Sequence, residues 1–563
     1  MSVITNSINA AKYVSFTLVL TTIFILTSVS DPVNVTKFLV LGILSFGTLG
    51  FYWKSSYSQL WAKEKLFLIL LLIFLSVSAL SILVSKEPLV QNIYGVLGRN
   101  TGFFTYIFFI LLLLIVLSFD NVASISIFTR ALLIAGILNV IYGIWVRLFG
   151  DFIPWTNNYS ALLGTFGNPD FAGAFLGILT GVLFSYYLSV TSKLRKILLS
   201  ITLLFNLIVV LDTKTTQGLL IAAISLSVSA YFALKNGTQK WKLHKPFFML
   251  VTIGGLIALL GVFQKGPLAP LLYKRSVSLR GVYWDAAFRT GNEHLFTGVG
   301  FDGFGNWYRQ TRSVKAATWF PGEGVVTNVA HNIYLDIYAS GGILLLITFL
   351  MLNIYCGLRL LTLLKKMQRF DWISVSLACI YFGYQAQALI SINQIGLGIW
   401  GWTVLGAICA YERVTRKNEN IQIEKRLNPR KIKNKNSDKS IVLVPLFMLF
   451  GTLIALPPFI ADTKWTSALK FQDLKKLEEA LKPSYFNPQS SERLANAVII
   501  LSNSNLDDKA YVYAKQGVEF SPNYFDGWKM LYYARKSTDS DRTFALENMK
   551  RLDPNNRTLD KLK

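Results

Sequence analysis

The sequence is dominated by uninterrupted apolar runs of about twenty residues, a length that leaves few folds open. At 1.5 Å of rise per residue, about 20 helical residues cross the hydrocarbon of a bilayer. Such runs recur near residues 11–30, 38–54, 66–84, 103–118, 128–149, 171–190, 197–211, 217–234, 246–263, 332–356, 373–393, 396–411 and 441–460. The sequence therefore predicts an all-α polytopic membrane protein with about 13 spans, within a range of 12–14. A membrane β-barrel would show short alternating segments instead. Composition agrees, since 53% of the 563 residues are hydrophobic and 14% aromatic. The run Val14–Val29 is long and another span follows it, so it is expected to persist as a helix rather than act as a cleaved signal.

A net charge of +25 would suggest nucleic acid in a soluble chain. In a membrane protein Lys and Arg collect in cytoplasmic loops, so their placement comes first. Lys193, Arg195 and Lys196 share one loop, Lys235, Lys240, Lys242 and Lys245 a second, and Lys365, Lys366 and Arg369 a third. The 412–440 linker adds ten, among them Arg413, Arg416, Lys417, Arg430, Lys431, Lys433 and Lys435. By span parity all four lie on one side, which is expected to be cytoplasmic along with the N-terminus. The 264–330 loop and everything after 460 then face the other compartment. The linker has no interleaved aromatics, so it reads as a tether facing anionic lipid and not as a nucleic-acid site. The expected layout is a core over 1–411, the linker over 412–440, a last span over 441–460 and a charged helical tail over 461–563. In that tail Pro522 and Pro554 stand 32 residues apart in similar contexts, close to the period of tetratricopeptide helix pairs; a generic small helical bundle is the other reading.

Chemistry-bearing residues gather in one segment, Arg280 to His331. Of the three histidines, His244 lies in a basic loop and His294 follows Asn292-Glu293 in the large loop. His331 stands where that loop meets a span, and an imidazole there can take a hydroxyl proton near neutral pH. Arg280 precedes Tyr283 and Trp284, and Arg289 follows nine residues on, which puts the two arginines on different helix faces. A guanidinium suits phosphate oxygens; anchoring at the headgroup level, with Tyr283 and Trp284 as interfacial aromatics, is the plainer alternative. Three further segments face the same side: Gly98-Arg99-Asn100-Thr101-Gly102, Gly167-Asn168-Pro169-Asp170, and Thr213-Lys214-Thr215-Thr216-Gln217-Gly218. Their Gly and Pro residues let backbone approach a ligand or fold into a cavity. No paired carboxylates, P-loop, dinucleotide fingerprint or metal-ligand spacing stands in the sequence. Cys356, Cys379 and Cys409 all lie in apolar runs and read as buried thiols.

The block Arg280-x-x-Tyr283-Trp284, Phe296-Thr297-Gly298-Val299-Gly300 with Phe304, and Ala330-His331-Asn332-x-Tyr334-Leu335 through Gly341-Gly342 resembles the O-antigen ligase / O-antigen polymerase superfamily. That superfamily includes bacterial protein O-oligosaccharyltransferases. The likeness is strongest over about residues 90–400, and the tail resembles the tetratricopeptide extensions of some members. It implies transfer of a glycan from an undecaprenyl-diphosphate carrier to an acceptor hydroxyl on lipid, polysaccharide or protein, inverting and without metal or other cofactor. His331 would assist the acceptor hydroxyl and Arg280 would hold the diphosphate. Lys214, Arg99, Arg289, Tyr283, Trp284, Asn168, Gln217 and Asn332 would line the donor site. Family members commonly carry an arginine in a Ser-Arg-Gly-like step where this chain has Thr216-Gln217-Gly218, so Lys214 or Arg99 would supply that charge. The implied setting is a bacterial cytoplasmic membrane, with membrane lipids as surroundings, no nucleic-acid partner, and a tail able to hold a protein partner. A non-enzymatic transporter of a small anion is the alternative. Few charges stand at span centres and no inverted repeat is evident, which favours the enzyme.

Overall fold

The computed structural model describes residues 2–52, 57–236, 242–425 and 443–562, and every element in it is helical apart from one isolated bridge in the tail. Thirteen helices form the membrane bundle and its junction to the tail. They are α1 (Ser2–Ile23), α2 (Asn34–Gly47), α3 (Tyr57–Val84), α4 (Phe103–Leu117), α5 (Val122–Phe149), α6 (Pro169–Ser189) and α7 (Lys193–Asp212). α8 (Thr216–Asn236) and α9 (His244–Val262) follow. After two helices of the large loop, α10 (Arg275–Glu293) and α11 (Phe304–Thr311), come α12 (Ile333–Lys366), α13 (Trp372–Ile390), α14 (Ile395–Lys425) and α15 (Leu443–Phe471).

Eleven of the thirteen are long and apolar enough to cross a membrane, so the protein is a multi-pass membrane protein. The two exceptions among the expected spans have local reasons. α4 has only 15 residues, and α1 starts in the polar stretch Ser2-Val3-Ile4-Thr5-Asn6-Ser7 rather than at residue 11. Both still pack in the bundle, with Phe108, Phe109, Leu112 and Leu113 of α4 and Val14 and Leu18 of α1 fully buried. Part of the basic linker, 426–440, and Lys240 lie outside the described residues.

Helix direction alternates, so each loop belongs to one of two ends. The basic loops share the far end: Asn236 at the end of α8 donates to the Met367 carbonyl after α12, and Ser185 near the end of α6 donates to the Trp372 carbonyl opening α13. The large loop and the tail share the other, the cleft end. The tail packs its own core in helix pairs, Ser491–Asn503 on Asp507–Phe520 and Phe525–Tyr533 on Asp539–Leu552. It docks onto the large loop through Arg312, whose buried guanidinium meets both Asp553 oxygens at 2.8 and 2.9 Å. Arg309 reaches the same carboxylate at 3.1 Å, and Asn523 donates to buried Glu87 at 3.2 Å.

One irregularity positions the site. α12 breaks at Gly342, which has φ +69°, and the Ile343 N–H to Ala339 carbonyl bond of a straight helix is lost. Unpaired backbone groups inside a bundle are costly, and the Leu295–Gly300 strip supplies the missing partners. Ile343 donates to the Leu295 carbonyl at 2.7 Å, while Val299 and Gly300 donate to the Ala339 and Ser340 carbonyls, each at 2.9 Å. The Phe296–Gly300 motif is thereby locked beside the first two turns of α12, immediately after His331.

Candidate functional site

α10 buries Tyr283, Ala286, Ala287, Thr290 and Gly291, a run at i, i+3, i+4, i+7 and i+8 that defines one helix face. That face lies on the start of α12, and Gly291 permits the approach, since a Cβ there would sit 2.3 Å from the Tyr338 ring. Arg280 is one turn before Tyr283 and so reaches the same side. Its guanidinium meets Asp170 at 3.4 Å, in the first turn of α6. Asn168 begins that helix by accepting the Asp170 N–H at 2.8 Å, and Gly167 makes the turn at φ +67°. Two distant sequence motifs, Gly167–Asp170 and Arg280–Trp284, are therefore adjacent.

His331 lies in the left-handed region at φ +55°, where a non-glycine residue costs ~1–2 kcal/mol unless its surroundings hold it. Six contacts around it do so. Ala330 donates its N–H to Asp336 at 2.6 Å, Trp284 donates its indole N–H to the His331 carbonyl at 3.4 Å, and the Tyr283 ring lies 5.6 Å from the imidazole. Asn332 caps α12, accepting from Tyr334 and Leu335, and donates to the Leu389 carbonyl at 3.0 Å. Burial, then the positive charges of Arg280 and Arg99, push the His331 pKa down to about 4. At neutral pH the imidazole is uncharged and able to accept a proton.

Arg99 arrives from a third segment. Asp302, half-buried, accepts the Val96 N–H and the Thr101 hydroxyl and so fixes the 95–102 turn, with Gly95 at φ +87° and Gly98 at φ +77°. Arg99 then donates to the Asn328 side chain at 3.3 Å, three residues before His331. Burial pulls both Arg99 and Arg280 below the usual guanidinium range, with Asp302 opposing the shift for the first and Asp170 for the second. Each retains one long side-chain contact, leaving most of its donors free for a ligand.

The other expected site residues divide. Gln217 is buried, donates to the Asp170 carbonyl at 3.4 Å, and leaves its own side-chain oxygen without a partner. Lys214 is exposed and spends its ammonium on the Ser160 carbonyl at 2.6 Å. Arg289 pairs with Asp285 one turn back on the exposed side of α10, and among the cations bearing on His331 it does not figure. Asn332 and Asn168 are occupied as helix caps, and Tyr283 and Trp284 as props for the His331 loop. Sequence reasoning did not name Lys274, whose charge bears on Asp170 alongside Arg280, nor Asn328 and Asp336. An aspartate in the first turn of a helix opened by Asn332 is a legible sign for the last of these. Among the described residues no group of three or more His, Cys, Asp and Glu side chains could hold a metal ion. No protein-family model matches this chain, and no curated protein matches it either.

Proposed function

We propose that the cleft end transfers a glycan from a polyprenyl-diphosphate carrier of the undecaprenyl type to an acceptor hydroxyl, as the resemblance of the 280–342 block to O-antigen ligases and polymerases implies. The observation that carries this reading is the His331 loop, held by Trp284 and Tyr283, beside two under-partnered guanidinium groups, Arg280 and Arg99, whose charge together with burial favours the neutral imidazole. In the proposed reaction the acceptor oxygen attacks the anomeric carbon as His331 takes its proton, and the glycosidic C–O bond breaks. The electron pair leaves with the lipid diphosphate. Arg280, with Arg99, offsets that growing charge, the kind of preorganised stabilisation worth ~3–4 kcal/mol per donor. Attack opposite the leaving group inverts the anomeric centre, and no cofactor takes part. The proposed setting is a bacterial cytoplasmic membrane with the N-terminus and basic loops inside and the cleft and tail outside, as the loop charges favour.

A transporter reading would gain from the broken helix α12, because interrupted helices mark many transport sites. Here the groups freed at Gly342 are paired by the 295–300 strip instead of facing an ion path, and the enzyme reading is preferred. The test uses purified protein, lipid-linked oligosaccharide and hydroxyl acceptors, with product counted directly. His331→Ala is expected to lower transfer by ~10²–10⁴. Transfer at the unmodified rate by both His331→Ala and Arg280→Ala, or anion uptake without transfer by the unmodified protein, overturns the reading.

A further inference from the structure

At the far end of the bundle, away from His331, basic side chains from three elements converge on one half-open cavity of about 200 Å³. Lys366 closes α12, Arg369 stands in the turn before α13, and Arg416 lies on α14. Two carboxylates also line the cavity, and both are already engaged. Asp371 caps α13, accepting the Ile373 and Ser374 N–H groups, the Ser374 hydroxyl at 2.6 Å and the Tyr411 hydroxyl at 2.9 Å. Glu412 takes Arg359 at 2.6 Å, leaving Arg416 a looser approach at 3.8 Å. Behind it, Glu64 is shared by Arg359 and Arg413.

Lys366 and Arg369 thus have no acid to themselves among the described residues. Five cations in this connected group (Arg359, Arg413, Arg416, Lys366 and Arg369) face three carboxylates (Glu64, Glu412 and Asp371). Like charges gathered in a crevice repel unless an anion sits between them. Forked guanidinium donors and a mobile ammonium suit tetrahedral phosphate oxygens.

We propose that this cavity binds a phosphate group, carried either by a membrane phospholipid headgroup or by a soluble phosphate ester. The proposal is independent of what the His331 cleft does. The test titrates full-length protein in detergent with phosphatidylglycerol, counts bound lipid by native mass spectrometry, and repeats the titration with millimolar inorganic phosphate as competitor. The cavity variant is Lys366→Gln/Arg369→Gln/Arg416→Gln. The control, Lys193→Gln/Arg195→Gln/Lys196→Gln, removes the same charge from the first turn of α7 at that end. Lipid affinity is expected to fall about tenfold or more in the cavity variant, as for loss of charge-assisted contacts, and to hold in the control. Displacement by inorganic phosphate identifies the phosphate itself as the recognised group, whereas retained lipid identifies the phospholipid. Arg369→Gln alone, at an exposed side chain without an ion pair, keeps the test valid should the triple variant misfold. Equal lipid affinity in the wild type and both cavity variants, or an equal loss in the control, overturns the proposal.

Discussion

Two arginines at the cleft end, Arg312 and Arg280, are held in opposite ways. Arg312 is 1% exposed, and Asp553 meets it with both oxygens while the Glu323 carbonyl takes a further donor at 3.1 Å. Arg280 is partly open and has a single contact, at 3.4 Å. Burial makes an ion costly unless it is paired, and with both terminal nitrogens of its fork engaged and only Nε unpartnered, Arg312 reads as a fastener between tail and loop. Arg280 leaves donors unspent beside a neutral imidazole, which is the condition expected of a group awaiting an anion. The same contrast separates the far-end network of Glu64, Arg359 and Arg413, which is internally paired, from Arg99 near His331.

The largest effect should come from breaking the fastener. Asp553→Ala strands the Arg312 charge, at an expected cost of ~3–5 kcal/mol to the tail junction. Denaturant unfolding and limited proteolysis would both register it, as a lower midpoint and as release of the 461–563 tail. An unchanged midpoint would mean the junction is held by apolar packing alone. Arg280→Gln should behave in reverse: under the proposed function it lowers kcat/KM for glycan transfer by ~10²–10³. Its unfolding midpoint should move little, as for other partly exposed ion pairs. If Arg280→Gln loses stability and activity together, the contrast between the two arginines fails.

A backbone version of the comparison predicts a smaller effect. Gly342 breaks α12 and Gly281 sits inside α10, and only Gly342 has positive φ, with its missing Cβ against the Leu295 carbonyl. Gly342→Ala should destabilise by ~1–3 kcal/mol through strain at the break. Gly281 has open space around it, and Gly281→Ala should be neutral or stabilise by up to ~1 kcal/mol. Melting curves of the two variants side by side decide it, and a neutral Gly342→Ala would remove the break from the account of the site.

What the sequence made legible follows the range of the interactions. Helix existence, the polar loop and the exceptional place of His331 are local properties, carried by apolar run length and by a loop meeting a span. Caps are local too: Asn332 before Ile333 and Asn168 before Pro169 carry the residue types of a helix start, and both side chains are committed there. The Asp285–Arg289 pair is local as well, at i, i+4, yet the sequence reading did not use it and expected Arg289 in the donor site. What stayed hidden depends on closing long loops. Arg99 meets Asn328 across 229 residues, Arg280 meets Asp170 across 110, and Arg312 meets Asp553 across 241. No residue pattern announces such pairings, because hydrophobic packing of the whole bundle decides them. An echo around two prolines hinted at the tail's helix pairs, but nothing marked their docking on the loop.

The finest distinction concerns how the two cleft arginines share control of His331. Its pKa of about 4 has burial as the largest cause, followed by Arg280 and then Arg99. The neutral imidazole is therefore the form present above about pH 4, and protonation would remove the proposed base as pH falls through that value. On the proposed transferase reading, the acid limb of kcat/KM for the free protein should have its midpoint near 4, well below the ordinary histidine range of about 6.5. Removing one positive neighbour relieves only the last of the three causes, so Arg99→Gln should raise that midpoint by less than about one unit. A rise to 6.5 would make charge rather than burial the dominant cause. No movement at all would detach Arg99 from the imidazole and leave Arg280 as its only cationic neighbour.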